Sequence, residues 1–222
     1  MDRGALALRL LVVLGCSFPV CKSRGGGQGL AVAAFTGDTA GVRHGLARGD
    51  DVDAKNEEGK TPLMMAAYAG HTDIIKMLLK ARAGVHVTSP QGDTALMQAA
   101  VIARSGVTEL LIDAGSDVNA RNNKGATPLS RAAGYDNSVV VRALLKAGAK
   151  MNAQSTLGHT ALMRAAGNGA ADTVGILLRA GANTALQTRA NAQSDQAGQT
   201  ALDIAIARGQ TQVRASCFSL SG

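Results

Sequence analysis

The sequence predicts an all-α solenoid of stacked helix-turn-helix units joined by hairpin-like loops. Four recurring marks predict it. Thr61, Thr94, Thr127 and Thr160 stand 33 residues apart, and Thr200 follows after 40. Each is flanked in register by a glycine two residues earlier (Gly59, Gly92, Gly125, Gly158, Gly198) and a leucine two residues later (Leu63, Leu96, Leu129, Leu162, Leu202). Small pairs follow at Ala66-Ala67, Ala99-Ala100, Ala132-Ala133 and Ala165-Ala166, with Ala205-Ile206 closing the series. A fixed period of this length means repeated supersecondary units that bury their apolar faces against one another.

Each mark has a physical job. Threonine is a good N-cap, and Pro62 and Pro128 follow it at the first helical position, where a missing N–H costs nothing. The spacing from Leu63 to Ala66 and Ala67 puts all three on one face of a short first helix, and the alanines let a neighbouring helix approach closely. Gly70 and Gly169 suit the left-handed residue that ends such a helix. A second helix then carries Ile74, Ile75, Leu78 and Leu79, or Val140, Val141, Leu144 and Leu145, and its end is marked by Gly115, Gly148 and Gly181 in later units. Polar segments such as Asp117 to Gly125 read as the hairpin-like turns between units.

Composition agrees and excludes several classes. The chain of 222 residues is 46% apolar but 2% aromatic, with no Trp, so its core is expected to be Ala, Leu, Val, Ile and Met. Cys16, Cys21 and Cys217 are too few and too scattered for a disulfide scaffold. No run approaches the ~20 apolar residues of a transmembrane helix. So few rings disfavour the stacking platforms that bind single-stranded nucleic acid. The net charge of +7 is uneven: residues 1–120 carry 12 basic and 12 acidic side chains, whereas residues 121–222 carry 11 and 4. That basic half either keeps a repetitive surface soluble or attracts an acidic partner.

A 33-residue unit with Thr-Pro-Leu, Ala-Ala, Gly-His, Leu-Leu and Asp-Val-Asn-Ala resembles the ankyrin repeat, in the form found in bacterial proteins. The best copy runs from Gly59 to His71, and the resemblance covers residues 28–215. It divides residues 23–222, as a single repeat domain, into units at about 28–55, 56–88, 89–121, 122–154, 155–194 and 195–222. There are departures. The family's His after Thr-Pro-Leu is Met64, Met97, Ser130, Met163 and Asp203 here, which removes a Thr–His hydrogen bond. Arg82 stands where other units have Gly, and Ala103-Arg104 and Asp136-Asn137 replace Gly-His. The seven extra residues before Thr200 fall in a hairpin around Arg189 to Asp195.

Residues 1–22 do not fit the repeat. Arg3 and Arg9 precede an uncharged stretch from Leu10 to Cys21, which reads as an export signal or else a disordered leader. Leu14-Gly15-Cys16 resembles a lipoprotein cleavage box, so the membrane enters only through lipidation at Cys16. Export to the periplasm or beyond is expected, with a cytoplasmic chain as the alternative. Gly25-Gly26-Gly27 lacks the Lys-Ser/Thr of a phosphate loop and reads as a hinge.

No metal, cofactor or catalytic constellation is expected. His44, His71, His86 and His159 have no second ligand at helical spacing, and no Gly-x-Ser-x-Gly occurs. The carboxylates at Asp50, Asp51, Asp53, Glu57 and Glu58 are expected to lie exposed and non-catalytic in turns. The resemblance instead implies a monomeric, non-enzymatic module that binds an unidentified protein partner, with nucleic acid or an anionic lipid surface as the alternative. It places the contacts at hairpin tips (Glu57, Glu58, Lys60, Gln91, Asp93, Lys124, His159) and at the ends of the first helices (Tyr68, Val101, Ile102, Tyr135, Asn168).

Overall fold

The computed structural model describes residues 26–102, 105–189 and 197–213. The leader with Cys16 and Cys21, the Ala103-Arg104 turn, the centre of the insertion, and Arg214, Cys217 and Phe218 lie outside the described residues. The readings made on them lie there too.

Helices come in pairs: α1 (Gly26–Thr36) with α2 (Thr39–Ala47), α3 (Pro62–Ala69) with α4 (Thr72–Lys80), α5 (Ala95–Ala99) with α6 (Ser105–Asp113), α7 (Pro128–Gly134) with α8 (Ser138–Lys146), and α9 (Ala161–Gly167) with α10 (Ala171–Arg179). Helix α11 (Ala201–Ala207) opens the last unit, and another helical turn begins at residues 211–213. The first helices pack on one another in chain order, and the second helices form a parallel row behind them. No strand occurs among the described residues. The fold is the all-α repeat solenoid.

The threonines start the first helices as expected. Thr61, Thr94, Thr127, Thr160 and Thr200 are extended, and each Oγ1 accepts the N–H of the residue three positions on. The Thr–His bond is absent, but two of the replacing residues supply another: Ser130 Oγ accepts from Thr127 N at 2.9 Å, and Asp203 Oδ2 accepts from Thr200 N at 2.8 Å. Both side chains restore a reciprocal bond that satisfies a second orphan N–H. Gly70 ends α3 at φ 78°. Asp136 takes the equivalent place at φ 55°, a conformation that Asp tolerates better than most residues.

Arg82 adopts φ 65°, where its counterparts Gly115, Gly148 and Gly181 lie at 84–89°. Its Cβ is therefore strained. Arg82→Gly is expected to raise stability by about 1 kcal/mol, read as a higher urea midpoint. An unchanged or lower midpoint would mean that the lost side chain mattered more than the strain.

The core is the one composition demanded. Leu63, Leu96, Leu129 and Leu162 are at most 1% exposed, and the alanine pairs beside them are equally covered. Gly26 and Gly27, expected to be a hinge, instead belong to α1. Helix α1 docks Leu30, Ala33 and Ala34 into the core, and that burial outweighs glycine's cost of about 1 kcal/mol per residue in a helix.

Side chains stitch each unit to the next. Asp53, expected to be a free turn carboxylate, accepts the N–H of Gly84 with both oxygens, at 2.9 and 3.0 Å. Asn119 and Asn152 repeat this role, accepting from Lys150 N and Asn183 N. The fourth member of the row, His86, makes no such bond among the described residues. His71 Nε2 meets Phe35 O at 3.0 Å, and Asn137 Nδ2 does the same job on Ala100 O at 2.9 Å. Histidine at that turn is structural.

The hairpins share a stem the sequence reading overlooked. Asn56, Ser89, Asn122, Ser155 and Thr188 recur every 33 residues, and each closes its turn with a side-chain oxygen on a backbone N–H. Backbone bonds then join neighbouring tips: Asn123 N to Gln91 O, Thr156 N to Lys124 O, and Arg189 N to Leu157 O. The insertion leaves this stem intact, since Thr188 N still donates to Gln199 O and Gly198 N to Thr188 O. Added loop length beyond such a stem costs little.

Candidate functional site

The expected contacts at the ends of the first helices and at the hairpin tips are exposed to different degrees. Gln91, Lys124, Tyr135 and Asn168 are exposed, as are Glu57 and Glu58. Glu58 is paired with Lys60 at 2.7 Å, a surface pair of small value. Tyr68, Val101, Ile102 and His159 are half-buried.

Two residues play roles other than those expected. Asp93 is 7% exposed, and its carboxylate is fully engaged. It accepts from Asn122 Nδ2 at 2.7 Å, Arg131 Nη1 at 2.9 Å and Gln98 Nε2 at 3.4 Å. It joins two units rather than offering itself to a partner. Tyr68 stacks on Phe35 with ring centroids 6.4 Å apart. These rings are equivalent in adjoining units, so Tyr68 extends a packed row. Tyr135 lies one position later in its own unit and stays 57% exposed. The two tyrosines do not share a row.

The 33-residue row containing Tyr68 changes character along the chain: Phe35, Tyr68 and Val101 give way to Gly134 and Gly167. Arginines occupy the space so freed. A Cβ on Gly134 would lie 3.2 Å from Arg164 Nε, and one on Gly167 would lie 3.3 Å from Arg208 Nη1. Arg131 and Arg164 stand at the same helical position, four residues after their threonines, and each leans back over the preceding unit. The uneven charge pointed to the basic half but not to these arginines. Their 33-residue spacing, beside glycines replacing aromatics, was the available signal.

The electrostatics follow from this crowding. Burial, then Arg131 nearby, holds the Arg164 pKa below the ordinary guanidinium value, with Tyr135 opposing. Burial, then Arg164 and Arg208, pushes His159 below the ordinary histidine range. Folded His159 therefore resists protonation while the unfolded chain accepts it. Stability is retained above the ordinary histidine value and falls as pH drops below it. Urea midpoints from pH 7.5 to 5 are expected to decline, and His159→Gln should flatten that decline; an identical slope would assign it elsewhere.

The family model "Ankyrin repeats (3 copies)" matches residues 30–122 and 101–188, more than half of the chain. The chain belongs to the ankyrin-repeat family. No curated protein matches it. Ankyrin repeats are generally protein–protein interaction modules and typically non-enzymatic. In this ankyrin chain, no group of three or more metal-ligating side chains gathers among the described residues, and no described helix is long and apolar enough to cross a membrane. The last ankyrin unit extends past the matched residues with the same threonine cap, at Thr200.

Proposed function

We propose that this ankyrin-repeat chain is a non-enzymatic module that holds a protein partner along its first-helix ends and hairpin tips. The observation that carries the reading is Tyr135, a ring left 57% exposed beside the Arg164 guanidinium, on the face where neighbouring tips Gln91 and Lys124 are also open. Interface energy concentrates in a few such anchors, with Tyr and Arg over-represented among them. Solenoids offer this surface as one continuous strip.

The test begins with affinity capture from the native source and mass spectrometry of what is retained. Tyr135→Ser should leave the urea midpoint within about 0.5 kcal/mol of the parent, as exposed substitutions do. Partner affinity should fall at least about tenfold, equivalent to ~1.4 kcal/mol. Tyr68→Ser is the contrasting variant, because losing the stack on Phe35 should cost stability. A Tyr135→Ser chain that retains every protein at parental affinity would mean that another surface binds.

Export through the leader is part of the same proposal. Protein recovered from its host is expected to lack Met1 and to begin between Cys16 and Gly29. Intact-mass measurement reads this directly. Acylated Cys16 would make the chain lipid-anchored, and a full-length chain recovered from the cytosol would overturn export.

A further inference from the structure

We propose that Arg164, flanked by Arg131 and Arg208, forms a carboxylate-binding track, and that the partner lays an extended acidic segment along it. The inference rests on the protein-binding reading above and adds the chemistry of the partner.

Three observations carry it. Arg164 has no hydrogen-bond acceptor and no ion pair among the described residues, and its Nε is buried without a partner. A guanidinium is an acceptor-seeking group with five donors in a planar fork, and leaving one partly buried and unpaired is costly. In the neighbouring unit the Asp93 carboxylate meets Arg131 Nη1 at 2.9 Å, although the Arg131 Nε is buried without a partner as well. Arg208 binds the Gly167 carbonyl at 3.1 Å, and no carboxylate pairs with it among the described residues. The track therefore holds two cations lacking counter-ions beside one already neutralised. Tyr135 is near enough to act on the Arg164 charge, and a phenol can donate as well as accept a hydrogen bond.

Geometry favours a peptide. Arg131 and Arg164 hold the same position in adjoining units, with Arg208 one turn later in its own, and adjacent packed helices lie about 8–10 Å apart. An extended polyproline-type segment rises ~3.1 Å per residue and presents every third side chain on one face, about 9 Å apart. Glutamate or aspartate at every third position would match the track. A strand of duplex nucleic acid places a charge every ~3.4 Å, and its continuation toward the first half would meet Glu57 and Glu58 in residues 26–120, which carry 8 basic and 11 acidic side chains. The local match is to a short acidic segment.

The probes are a synthetic peptide with Glu at every third position, its Gln counterpart, and a single-stranded oligonucleotide, each titrated into the full chain at low salt. Anisotropy reads affinity, and NMR follows the Arg164 Nε–H and the His159 ring. The Glu peptide is expected to bind, to shift the Arg164 signal and to raise the His159 pKa, while the Gln peptide does none of these. Arg164→Gln should weaken the Glu peptide at least tenfold. Arg142→Gln, which removes the same charge from the exposed side of α8, should change it less than twofold. No binding of the Glu peptide, or equal binding to Arg164→Gln, overturns the proposal. Tighter binding of the oligonucleotide through the same arginines also overturns it, in favour of a phosphate backbone. A captured protein partner that is lost on Tyr135→Ser but unaffected by Arg164→Gln would sink the acidic track alone, leaving the protein-binding reading in place.

Discussion

Leu129→Ala, in the middle of the stack, is expected to destabilise the chain by about 2–5 kcal/mol through the cavity it leaves. Leu129 is 1% exposed, and α7 packs between α5 and α9, so neither neighbour can close the void without losing contacts of its own. Leu202 occupies the same repeat position in the last unit but is only half-buried. Leu202→Ala should cost clearly less, because less area leaves water and the site is freer to relax. Urea unfolding of both variants, followed by helical circular dichroism, checks the comparison. Equal midpoint losses would contradict a stack whose stability is a sum of neighbour interfaces.

Asp93→Ala is the second large effect, expected at about 2–4 kcal/mol, below the full cost of a fully buried pair because Arg131 keeps some exposure. The substitution leaves the Arg131 guanidinium, the Asn122 amide and the Gln98 amide without their shared acceptor. The damage lies mostly in those orphaned donors, so Asp93→Ala combined with Arg131→Met should recover part of the loss. A single-variant cost below about 1 kcal/mol would mean that water replaces the carboxylate and that the pair behaves as a surface contact.

The repeat architecture was legible because its signals are local. A cap threonine, a proline at the first helical position and a leucine in register with two alanines act within one turn, and every copy repeats them. The same locality explains why departures such as Arg82 and Asp136 could be placed at left-handed turns from position alone. The partner surface was legible only as a set of positions. Asp93, Tyr68 and Tyr135 look equally available in the chain, yet one is consumed by three donors, one is stacked and one is open.

The sequence by itself determined the unit, its period, the caps that start each helix and the ring-poor core, because each depends on residues within about a turn of one another. Only the tertiary structure decided which polar groups are spent between units and which remain for a partner. That choice turns on side chains some 29–41 residues apart meeting across adjoining helices, as Arg131 meets Asp93 and Arg208 meets the Gly167 carbonyl. Whether such an arginine finds an acceptor depends on what the preceding unit places beneath it, and no local pattern encodes that.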